Sequence, residues 1–272
     1  MLLKIISLAF MALVTSTVSA GQCPTLPAMP EPAKDDPAYQ AGWQGVAEPY
    51  SIRYTVKNHD EAPHGIGYLR VLNSDDNYYY WQRNMTIPLW SMPGELHFYG
   101  WIHNGLVYPA GGNTSYPLTG AGMVETGYEF NSFIVWEVTD NDWLRIRLLA
   151  RTDKDVWVHK CHLDSGKIKF AFNSWETFLE EHGDWLHFRT QVPHILRAAP
   201  DINSEPISII ALDHKLVLQS IKGDWMKVKV EQPDWTCSGV SDEEQKKSIH
   251  DGWVKWRDDI KGPWVWVYTR GC

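Results

Sequence analysis

The chain has 272 residues and a mass of 31.3 kDa, with a formal net charge of −8 and a sequence pI of about 5.7. Hydrophobic residues make up 44% of it and charged residues 21%, enough to bury a core and too apolar for a disordered tail. The acidic balance excludes a general nucleic-acid or anionic-membrane binder, and 15 Trp pose the question of core against ligand surface.

Residues 1–20 (MLLKIISLAFMALVTSTVSA) read as a secretory signal peptide. Lys4 supplies the positive start, 5–14 the short apolar run and Val18-Ser19-Ala20 the small-residue cleavage site. No later stretch approaches the roughly 20 apolar residues that span a bilayer, so no membrane span is expected. Gln22 stands where a lipoprotein signal needs a small residue before its cysteine, so Cys23 is not expected to carry lipid. The localisation expected is the periplasm or the cell exterior.

Residues 21–50 form a Pro-rich arm without periodicity. From 51 onward, short alternating or β-rich runs dominate, among them 66–72, 96–102, 133–138, 143–149, 155–159, 225–230, 252–256 and 263–268. Turn-prone groups such as SDDN, TDND and KGD separate them. One helix is predicted over WETFLEEH, capped by Asn173 or Ser174 and ended by Gly183, with Trp175, Phe178 and Leu179 on one face. The divisions expected are an extension or degenerate third unit over 51–102, a first module over 103–172, a helical connector over 173–191 and a second module over 192–272.

An internal repeat is the strongest structural signal. Asp142-Trp143-Leu144-Arg145-Ile146-Arg147 matches Asp224-Trp225-Met226-Lys227-Val228-Lys229. Downstream, Val156-Trp157-Val158-His159 parallels Gly252-Trp253-Val254-Lys255, and upstream 106–117 parallels 195–206. Alternation puts Trp225, Lys227 and Lys229 on one face with Met226, Val228 and Val230 toward a core, and Trp143, Arg145 and Arg147 likewise.

Each copy resembles a bacterial SH3-type domain. The second carries LRAAPDINSEPI, KGDWMKVKV and DGWVKW; the first carries LVYPAGGNTSYPL, NDWLRIRL and DVWVHKCHL, without a glycine before Trp157. The resemblance implies an all-β fold of two SH3-like small barrels, with an N-terminal β extension and a short connecting helix. It further implies recognition of cell-wall peptide or glycan, or of another exported protein. The candidate ligand-binding residues are Arg197, Asp201, Asn203, Asp224, Trp225, Trp253 and Trp256 in the second copy. Tyr108, Asn113, Asp142, Trp143 and Trp157 are their counterparts in the first. Asp and Asn would bond amides or hydroxyls, and the indoles would stack on apolar faces.

Four cysteines in an exported chain are compatible with disulfides, and three pairings are possible. Cys23–Cys161 and Cys237–Cys272 are the expected pairs. HKCH (159–162) looks metal-like, but in an extended strand His162 points away from His159 and Cys161, so no metal site is expected. Asn84-Met85-Thr86 and Asn113-Thr114-Ser115 fit the glycan acceptor pattern. No nucleophile elbow and no cysteine-peptidase block occurs, and no cofactor is called for. The expected function is an exported, non-enzymatic binding module. A structural or inhibitor-type partner protein and an unrecognised cell-wall hydrolase are the alternatives.

Overall fold

The computed structural model describes residues 22–29, 64–72, 85–103, 105–111, 116–117, 123–127, 130–149, 154–164, 168–189, 194–211, 214–231, 248–258 and 262–267. The signal segment, 51–63, Tyr78 to Trp81, Asn113, Cys237 and Cys272 lie outside the described residues.

The first sheet uses β1 (Gly67–Val71), β2 (Thr86–Trp90), β3 (Phe98–His103), β4 (Leu106–Pro109), β5 (Tyr116–Pro117), β6 (Met123–Gly127), β7 (Phe130–Val138), β8 (Trp143–Leu149), β9 (Lys154–His159) and β10 (Phe170–Ser174). Helix α1 (Trp175–His182) follows. The second sheet uses β11 (Leu186–Phe188), β12 (His194–Arg197), β13 (Pro206–Ile210), β14 (Lys215–Lys222), β15 (Trp225–Glu231) and β16 (Ser248–Lys255). A ribbon of β17 (Arg257–Asp258) and β18 (Gly262–Pro263) leads into its last strand, β19 (Val265–Val267).

The hydrogen-bonded order of the first sheet is β10-β1-β7-β8-β9-β2-β3-β4-β5, with β6 paired to β7. That of the second is β19-β11-β14-β15-β16-β12-β13. Among the described residues both are open paths whose end strands are not bonded to one another. The two closed SH3-like barrels expected from the sequence are therefore not formed, and the family resemblance falls with them. Alternation and turn wording fix which strands form hairpins; they do not fix whether the outer edges of a sheet meet.

The repeat itself is real and larger than the sequence shows. The seven strands of the second sheet match β10, β1, β7, β8, β9, β2 and β3 in order, with β4 to β6 added to the first. Trp143 pairs with His159, Arg145 with Trp157 and Arg147 with Asp155; Trp225 pairs with Lys255, Lys227 with Trp253 and Lys229 with Asp251 in the same register. Bulges also coincide, after Val135 and Leu218, and between Leu89/Trp90 and Leu196/Arg197. The upstream match is corrected: the counterpart of β12 beside β16 is β2 beside β9, so 86–103 rather than 106–117 repeats 194–210.

Period-two patterning builds both cores. Leu69, Ile87, Leu89, Val135, Leu144, Ile146 and Val156 fill the first. Leu186, Leu196, Leu216, Met226, Val228, Val254 and Val265 fill the second, which continues over α1 to Tyr68 and Ile134 of the first sheet. The helix forms where the sequence places it: the Ser174 hydroxyl accepts the Thr177 N–H at 3.1 Å, and Trp175, Phe178 and Leu179 are buried. Trp266 packs on this helix, 5.1 Å from Trp175 and 5.3 Å from Phe178 between ring centroids. That indole is a packing surface between the two sheets.

His194, on β12, lies flat against Phe188 with centroids 3.5 Å apart and is 8% exposed. Burial lowers its pKa from 6.5 to about 4. Between those values the unfolded chain binds the proton and the folded chain does not, so stability falls as pH falls through this window. At pH 5 the cost from this group is about 2 kcal/mol. Urea midpoints at pH 7.5 and pH 5 should therefore differ less in His194→Gln than in the parent. Equal losses in the two proteins would show that His194 does not carry the effect.

Candidate functional site

Strands β14, β15, β16 and β12 lie side by side, and residues opposite one another across a pair share a face. One row runs Lys222, Trp225, Lys255; the next runs Ser220, Lys227, Trp253, Arg197. Trp225 and Trp253 are diagonal neighbours, about 7–8 Å apart at their backbones by sheet geometry. The opposite face is the buried set Met226, Val228, Gly252 and Val254, so none of the outer side chains is needed to fill the core. Lys222 is exposed, and Trp225, Lys227, Trp253, Lys255 and Arg197 are half-buried.

The cations of this face differ in what they do. Lys229 gives its ammonium to Glu231 at 2.8 Å, and Lys215 lies 3.5 Å from the same carboxylate. The hydrogen bond to Glu231 raises the Lys229 pKa. Burial disfavours the Glu231 charge, yet the bond from Lys229 and the charges of Lys215 and Lys229 outweigh it and hold the carboxyl below its usual range. Arg197 donates to the Ser204 carbonyl at 2.7 Å. The Lys255 ammonium sits 5.6 Å from the Trp264 ring centroid. Lys222, Lys227 and Lys255 are in no ion pair among the described residues.

The first sheet presents the same register with the charges closed off. Arg145 bonds Asp155 at 2.8 Å and lies 3.2 Å from Glu137; Arg147 bonds Asp155 at 3.1 Å and stands over Trp136 at 4.4 Å. Both faces thus carry indoles and internal ion pairs, and the second adds Lys222, Lys227 and Lys255, which are in no ion pair among the described residues.

The candidate residues therefore separate. Arg197, Trp225 and Trp253 come together on the face. Asp201 and Asn203 form the exposed turn between β12 and β13, where the Asn203 N–H donates to the Asp201 carboxylate at 2.8 Å. Asp224 is held by Arg257 at 2.7 Å, and Trp256 is fully buried. In the first half Tyr108 is half-buried on β4 opposite Trp101. Asp142 turns the chain into β8 with φ 61°. Trp157 is half-buried opposite Arg145. Trp143 is buried rather than outward, because Trp90 and His159 close over it at 5.0 and 4.9 Å. Lys222 and Lys255 were not singled out in the sequence. The cross-strand rows that join them to the indoles depend on pairing, although the DGWVKW and KGDW wording already contains both.

At the far end of β9 the expected Cys23–Cys161 disulfide is present, fastening residues 22–29 to the first sheet. It agrees with an oxidising, extracytoplasmic setting. A 3-10 turn (Lys160–His162) follows β9, so the extended geometry assumed for HKCH fails and His162 swings round to the cysteines. Its imidazole stacks on Trp90 at 5.7 Å and donates Nε2–H to the Pro24 carbonyl at 3.0 Å. Burial lowers the pKa of both His159 and His162.

No helix among the described residues is long and apolar enough to cross a membrane. No family model matches the chain, and no curated protein sequence matches it.

Proposed function

We propose that the protein is an exported, non-enzymatic binding module of the periplasm or cell exterior whose second sheet recognises an anionic cell-wall glycan or peptide. The observation that carries the reading is the interleaving of Trp225 and Trp253 with Lys222, Lys227 and Lys255 on one accessible face, while Arg145, the first-sheet counterpart of Lys227, is paired with Asp155 and Glu137. Indoles offer flat apolar area to a sugar ring or an aliphatic side chain, and the ammonium groups answer its carboxylates. The chain as a whole is acidic at −8, so attraction to an anion is local to this face.

A pull-down with intact cell-wall sacculi tests this. Trp225→Ala and Trp253→Ala are each expected to weaken retention about tenfold, and Lys227→Glu to do the same with a reduced salt dependence. A parent protein found wholly in the supernatant overturns wall binding; unchanged retention in all three variants overturns the face. A partner protein is the second reading, favoured by Ile195 and Ile209. They lie opposite one another at the β13 edge, 42% and 68% exposed, next to Arg197.

A further inference from the structure

Building on the binding reading above, we infer that the ligand is a glycan strand lying across β14, β15 and β16 with a free carboxylate on every second sugar, as a wall glycan has once its stem peptides are removed. Among the described residues, every other tryptophan has its indole against another ring or a cation, as Trp101 has Phe98, Trp136 has Arg147 and Trp185 has Lys215. Trp225 and Trp253 have no such contact, and both are only half-buried. Each has a cation on both sides in its own cross-strand row. The first row reads Lys222, Trp225, Lys255 on β14, β15 and β16; the second reads Lys227, Trp253, Arg197 on β15, β16 and β12. One triplet thus occurs twice, shifted by one strand. Strands stand about 4.8 Å apart, so the two cations of a row are rooted about 10 Å apart with the indole midway.

That step matches a glycan and not a peptide. An extended β-1,4-linked glycan advances by nearly one strand spacing per sugar, and its alternate sugars present the same side. Laid across the strands, it puts one neutral sugar on the indole and its two carboxylate-bearing neighbours beside the cations. An extended peptide advances about 3.4 Å per residue and crosses the row out of step. Laid along the strands, it would need the backbone partners of a sheet edge, which the face does not offer. The next row, Val217, Lys229, Asp251, bounds the site: Lys229 is tied to Glu231, and the exposed Asp251 carboxylate repels an acid. On the first sheet the matching indole, Trp157, has Arg145 on one side, itself bonded to Asp155, and the buried Trp90 on the other.

Sacculi stripped of stem peptides by an amidase, which leaves one lactyl carboxylate per disaccharide, provide the test beside untreated sacculi. Retention of the parent protein should rise about fivefold on stripping and fall back when the carboxylates are coupled to a neutral amine. Lys222→Gln and Lys255→Gln, both outside the core, should each lose most of that rise with the near-UV circular dichroism retained. Retention that does not rise on stripping overturns the free-carboxylate glycan and leaves wall binding standing. No retention on either preparation overturns both. A rise that survives amine coupling, or both lysine variants, overturns the row as its site. Competition by poly-glutamate as strong as that by soluble stripped glycan strands overturns it equally, since charge alone would then be recognised.

Discussion

Trp256→Ala is expected to destabilise the protein by about 4 kcal/mol, the cost typical of emptying a large buried aromatic site. Trp256 has no exposed surface, and its indole N–H donates to the Gly223 carbonyl at 2.9 Å. Its backbone N–H donates to the Asp224 carbonyl at 2.9 Å, and its own carbonyl accepts the Trp264 N–H at 2.6 Å. Three segments therefore depend on this residue: the β14–β15 turn, the end of β16 and the approach to β19. Gly223 takes φ 58° in that turn, a conformation that suits glycine. Trp256→Phe keeps most of the apolar volume and loses the indole bond, so about 1–2 kcal/mol is expected. Trp225→Ala on the outer face should cost less than about 1 kcal/mol. Chemical denaturation of the three variants checks the order. A Trp256→Ala protein as stable as Trp225→Ala would show that the turn is not fastened through the indole.

Cys23→Ser is expected to lower stability by about 4 kcal/mol, through the lost restraint on the unfolded chain. The bond joins residues 138 apart, a long loop for which chain-entropy reasoning gives a large effect. It also ties down the arm, whose links among the described residues include the Thr25 N–H to Glu95 at 2.9 Å and the His162 bond to the Pro24 carbonyl. A reducing agent should produce a comparable drop in the parent. The drop that remains on reducing Cys23→Ser should be smaller, and an equal drop would locate the effect in other cysteines.

Much of the strand content was legible because alternation has a physical cause: one face of each strand is buried, so Met226, Val228 and Val230 differ from Trp225, Lys227 and Lys229. The helix was legible from Ser174 and from the spacing of Trp175, Phe178 and Leu179. The extent of the repeat was not. In its first strands Ile87, Leu89 and Trp90 stand where His194, Leu196 and Arg197 stand, and only the shared bulge and the neighbouring strand reveal the match. The burial of Trp143 was hidden for a related reason, since Trp90 reaches it from a strand more than fifty residues earlier. In His162 the local rule failed: a strand was assumed, and a 3-10 turn redirected the ring. Of the proposed binding face, the pairing of Trp225 with Lys227 follows from period two within one strand, and Trp253 lies on the next strand. Their union with Lys222, Lys255 and Arg197 follows from cross-strand register, which no local pattern states.

The two sheets share one strand order, and that has a consequence for how the chain reaches its native state. A strand such as β8 has two edges that could accept it, β9 in its own half and β16 in the other, each offering a Trp and an Asp at matching positions. Proximity along the chain decides between them. The β7-β8-β9 meander closes through short connections, so its contacts form before the distant copy can compete. Crossed pairing between halves, or between two molecules at high concentration, is the misfolding route that this architecture leaves open.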